Sequence, residues 1–103
     1  MNLVKNKQLN HNQNNKIMKL YHFNQNGYGE EYYTMAENKV DAYNSLMAYL
    51  QKHVDDPNEQ YIWSYTQSLE KWKKVNPEDP KTFPNTFTMD EFEAGHIIES
   101  EVA

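Results

Sequence analysis

The sequence predicts an α+β domain: an antiparallel sheet of about four strands with one face packed on a single main helix. Three observations predict it. Two period-two aromatic stretches, Lys19 to Phe23 and Tyr32 to Met35, flank a glycine-bearing turn. A period-three-to-four apolar helix follows them from Val40 to Lys52 without a break. With 103 residues the chain is one domain at most, and domains of this size bury only about two thirds of their unfolded surface. Eight Tyr, two Trp and four Phe must therefore supply much of the core.

Taken in order, residues 1–17 are Asn, Gln and Lys with Leu3, Val4 and Leu9 too sparse to make a face, the composition of a disordered tail. An alternative origin is untranslated leader, because AT-rich DNA encodes Asn and Lys and Met18 stands directly before the first strand. Residues 18–103 form the single domain. Leu20 and His22 lie on one side of the first strand and Tyr21 and Phe23 on the other. Asn26-Gly27 and Gly29 supply the positive φ values of a hairpin tip, in a loop long enough to present Tyr28. Asn38 is a good N-cap with Asp41 three residues on, and Asp55, Asp56 and Pro57 end the helix. Neither hairpin nor helix is stable alone in water, so the helix must lie across the hairpin.

In the second half, Tyr61, Trp63 and Tyr65 alternate with Ile62, Ser64 and Thr66, which reads as a strand. Leu69 to Val75 fits either a helical face through Leu69, Trp72 and Val75 or an exposed strand, and the strand is preferred. Asn76 to Asn85 holds three of the four prolines and reads as a loop. Thr88 followed by Glu91 resembles a capped short turn over Thr88 to Phe92, and His96 to Val102 reads as a last edge strand after Gly95.

Composition narrows the function classes. The absence of cysteine removes disulfides, thiolate catalysis and Cys-ligated zinc. No run is apolar enough for a membrane span or a signal peptide, so a cytoplasmic location in the host cell is the expectation. All ten basic residues are lysine, which deprives the chain of the bidentate forks that read guanine and grip phosphate. The net charge is −5, but three lysines lie in the tail, and Met18 to Ala103 carries seven lysines against fifteen acids. Such a domain repels nucleic acid and attracts basic surfaces.

No catalytic or cofactor motif emerges. His11, His22, His53 and His96 have no zinc-binding spacing; His22 reads as structural, His53 as a cap at the helix end, and His96 as part of an acidic turn. There is no nucleophile elbow and no phosphate-cradling glycine loop, so neither an enzyme nor a cofactor is expected. Two surfaces remain for binding a partner. One is the acidic C-terminal group Asp90, Glu91, Glu93, Glu99 and Glu101, whose plainer role is a solubilising edge. The other is the aromatic group Tyr28, Tyr32, Trp63 and Trp72, whose plainer role is core.

The run Met18-Lys19-Leu20-Tyr21-His22-Phe23, the Gly27-Tyr28-Gly29 loop, Tyr32-Tyr33-Thr34-Met35-Ala36-Glu37-Asn38 and the helix with Asp41-Ala42 resemble the small phage or prophage accessory proteins that open with MKxYxF and a hairpin followed by a helix. The likeness covers Met18 to about Lys52 and transfers no catalytic residue. It implies an inhibitor of bacterial defence, of which acidic anti-CRISPR proteins are one kind. The expected function is thus a non-enzymatic inhibitor docking on a basic surface of a host protein. The rivals are a small-ligand or nucleotide-binding oligomer, with Tyr32, Trp63 and Trp72 stacking on a base and Lys71, Lys73 and Lys74 meeting phosphate, and a structural or assembly subunit.

Overall fold

The computed structural model describes residues 17–25, 31–93 and 95. The expected tail up to residue 16, the turn carrying Tyr28, and the expected last strand with His96, Glu99 and Glu101 lie outside the described residues.

The chain is α+β, with strands β1 (Lys19–Gln25), β2 (Glu31–Ala36) and β3 (Phe87–Phe92) and helices α1 (Lys39–Val54) and α2 (Ile62–Trp72). The sheet is antiparallel in the order β2-β1-β3, so the first strand is central. Phe23 stands opposite Tyr32 on one side and Met89 on the other, and Tyr21 opposite Thr34 and Glu91. The strand's alternation then sorts its residues: Tyr21, Phe23 and Gln25 are buried, while Leu20, His22 and Asn24 occupy the opposite face.

α1 begins where the sequence predicts. Asn38 has extended backbone, and its Oδ1 accepts from the Asp41 N–H at 2.9 Å, satisfying one of the helix's orphan donors. Asp41 in the first turn and Lys52 and His53 in the last complement the helix dipole. The helix buries Ala42, Leu46 and Leu50, spaced four apart on one face, and packs against β2 and α2.

Two readings are corrected. The stretch expected as strands through Tyr61–Thr66 and Leu69–Val75 is the single helix α2 and its exit, so the described residues form two helices and three strands. Local alternation of aromatics was a weaker signal than the longer spacing. Tyr65, Ser68, Leu69 and Trp72 fall at i, i+3, i+4 and i+7 and make the inward stripe, whereas Ile62 and Trp63 face solvent. The expected capped turn at Thr88–Phe92 is instead strand β3. Phe87 and Met89 reach the core side and β1 takes up the backbone hydrogen bonds, a long-range pairing invisible to a four-residue motif. The proline segment is a loop, as predicted, tightened by a 3-10 turn at Pro80–Thr82.

Trp72 is the centre of the core. It has no exposed surface, meets Phe23 edge-on at 5.4 Å between centroids and lies 5.0 Å from Phe87. Its indole N–H donates to Gln25 Oε1 at 2.7 Å within the buried layer, and its carbonyl accepts from the Tyr43 hydroxyl at 2.6 Å. The buried amide oxygen and the indole N–H therefore satisfy each other, which removes the desolvation penalty of leaving either of those two groups unpaired.

Candidate protein-docking site

Strand pleating divides the predicted acidic group. Asp90 points to the open face of the sheet, beside His22, whose Nδ1 lies 3.3 Å from Asp90 Oδ2 and whose Nε2 lies 2.8 Å from Glu31 Oε1. The imidazole also stacks on Tyr33 at 4.5 Å, so His22 ties all three strands together. Met35, Leu20 and Phe92 form the neighbouring row of the same face. Glu91 points the other way and accepts from the Tyr21 hydroxyl at 2.6 Å, with Lys19 Nζ 3.8 Å from the same oxygen. Tyr21's hydrogen bond holds the Glu91 carboxyl below the usual glutamate range, while burial first and then Glu91 push the Tyr21 phenol far above its own. Glu93 is exposed just beyond β3. Among the described residues pleating splits these acids between two faces: Glu91, though exposed, is engaged by Tyr21 and Lys19, while Asp90 lies beside His22 on the open face and Glu93 stands beyond β3.

The aromatic group is divided as well. Trp72, expected at the surface, is interior, because its helical phase turns it onto β1. It cannot stack on a nucleotide. Lys71, Lys73 and Lys74 sit at the far end of α2 from Trp63, roughly 15 Å away at about 1.5 Å of rise per residue. The base-and-phosphate constellation is thus taken apart.

What α2 brings together instead is a tyrosine cluster. Tyr32 on β2 meets Tyr49 on α1 at 5.8 Å, and Tyr49 meets Tyr65 on α2 at 6.2 Å, both nearly edge-to-face. His53 stacks on Tyr65 at 4.3 Å and its Nδ1 lies 2.7 Å from Glu59 Oε1. That bond, with the Tyr61 N–H donating to Glu59 Oε2 at 3.0 Å, keeps the Glu59 carboxyl ionised below the usual range. The Tyr65 phenol is pushed far up, first by its hydrogen bond to Tyr49 and then by burial and the Glu59 charge. From its place in the last turn of α1, His53 also serves as a stacked clamp holding the loop to the helix.

Two hollows flank Tyr32. One, of about 550 Å³, runs between β2 and α1 and is lined by Phe23, Glu31, Tyr33, Ser45, Leu46 and Tyr49 together with Tyr32 and Thr34. The other, of about 290 Å³, is lined by Tyr32, Tyr61, Ser64 and Tyr65. Of its lining residues Tyr61 is 63% exposed, and Trp63, two residues on along α2, is 72% exposed. Lone exposed apolar residues need no explanation, but an exposed Trp and an exposed Tyr within one turn of the same helix start are the anchor types of protein interfaces. Tyr49, Tyr61 and Tyr65 were missed by sequence reasoning. Their spacing was visible, but reading 61–66 as a strand hid the face they share.

Among the described residues no group of three His, Asp or Glu side chains is arranged to hold a metal ion, and no helix is long and apolar enough to cross a membrane. Comparison of the chain with models of known families, with curated proteins and with solved structures returns no match.

Proposed function

We propose that the protein is a non-enzymatic binding module from a phage or mobile element, which inhibits a host defence protein by docking on a basic surface. The observation that supports this reading is the pairing of exposed Trp63 and Tyr61 with an anionic setting. From His53 to Glu70 the chain carries Asp55, Asp56, Glu59 and Glu70 and no lysine, so the aromatic anchors stand in a field that repels acidic partners. Aromatic residues supply affinity once desolvated, and the surrounding carboxylates supply steering and selectivity for cationic surfaces. The sheet's open face, with Asp90, Glu31 and the half-buried His22, adds charge of the same sign elsewhere on the molecule. A cytoplasmic site of action in the host cell goes with this reading.

The test is capture of partners from bacterial lysate on the immobilised protein, at low and high salt, beside a Trp63→Ala control. The reading expects a basic, nucleic-acid-binding protein held at low salt, released at high salt and lost with Trp63→Ala. Capture that ignores both salt and Trp63, or no capture at all, counts against it.

A further inference from the structure

We infer that the hollow between Tyr32, Tyr61, Ser64 and Tyr65 is a pocket for a single cationic side chain, a guanidinium or ammonium group presented by a basic segment of the partner. The inference rests on the docking reading above and assigns it a specific contact.

Size comes first. At about 290 Å³ the hollow falls just below the range of roughly 300 to 1,000 Å³ that small-molecule sites occupy, room for a side chain rather than a nucleotide. Its lining is three phenol rings and one hydroxyl, with no lysine and no aliphatic side chain. Aromatic faces attract cations through their quadrupole, more strongly as the site loses water. Two of the three rings are also held in place. Tyr32 and Tyr65 are both braced on Tyr49, and Tyr65 is stacked on His53, so a bound cation meets rings that have already lost their freedom. Finally, the Glu59 carboxylate, held by His53 and the Tyr61 N–H, acts on Tyr65 through its charge and favours a cation without being one of the lining residues. An apolar occupant would gain the rings but waste that charge, and an anion would be repelled by it. Tyr61 is the element to vary: it is exposed and makes no side-chain capping bond at the start of α2, so replacing it leaves the fold intact.

The probe is an unstructured peptide of alternating arginine and serine, titrated into the full chain while tyrosine ring signals are followed by NMR, beside a peptide with glutamine in place of arginine. The pocket predicts that signals of Tyr32, Tyr61 and Tyr65 move with the arginine peptide only. Tyr61→Ala should weaken binding about three- to tenfold, and Tyr61→Phe, which keeps the π face, should restore it. Equal binding of the two peptides, unchanged affinity in Tyr61→Ala, or shifts confined to Asp90 and Glu93 would overturn the pocket. Lysate capture that still depends on Trp63 while the arginine peptide leaves the tyrosines unmoved would sink the pocket alone and leave the docking reading standing.

Discussion

The two tryptophans of α2 lie nine residues apart, two and a half turns at about 3.6 residues per turn, and so face opposite sides of the same helix. Trp72 is wholly enclosed and hydrogen-bonded, whereas Trp63, near the start of the helix, is 72% exposed. Identical side chains therefore take opposite roles by helical phase alone. One end of α2 holds the domain together and the other is available to a partner. Mutations at the two ends should separate stability from binding.

The sharpest break in that contrast is Trp72→Ala, which removes the ring that Phe23, Phe83 and Phe87 surround. It should cost about 3–5 kcal/mol in urea denaturation and leave a domain of this size largely unfolded. Gln25→Leu tests the polar part of the same end. With the indole N–H left buried and unpaired, stability should fall by about 1–3 kcal/mol while the apolar contacts persist.

Acid titration probes ties outside that centre. Glu91 and Glu59 both have folded-state pKa values below their ordinary 4.5, through Tyr21 and His53 respectively. Each thus stabilises the fold above the ordinary glutamate range, and that contribution is lost as pH falls through the lowered values. Urea midpoints should decline over this window, and Tyr21→Phe should flatten part of the decline. A pH-independent midpoint there would remove both carboxylates from the account.

The smallest expected change in stability is at the other end. Trp63→Ala should shift the unfolding free energy by no more than about 0.5 kcal/mol, yet abolish partner capture. It should also remove the emission that acrylamide quenches readily and leave the shielded emission of Trp72. A large destabilisation by Trp63→Ala would mean that both ends of α2 are structural.

How much of this was legible depended on the range of the signal. β1, β2, the Asn38 cap and the stripe of α1 were readable because each is decided within a few residues. β3 was not, since Thr88 and Glu91 mimic a cap and only pairing with β1, some seventy residues earlier in the chain, makes the segment extended. α2 was misread because Tyr61, Trp63 and Tyr65 alternate by coincidence, with Tyr65 alone of the three joining the inward stripe. That one misreading also placed Trp72 at the surface and concealed the hollow, whose walls come from β2 and α2 and exist only after α2 is helical.

The central position of β1 has a consequence during synthesis on the ribosome. Its Tyr21, Phe23 and Gln25 emerge early and can pair with β2 at once, but their second neighbour, β3, is made only after the two helices and the proline loop. Until then a newly made chain presents an unsatisfied backbone edge next to two large aromatic residues, the kind of surface on which chains stick to one another. Ribosome stalling or truncation ahead of Phe87 should therefore yield insoluble material rather than a smaller working domain.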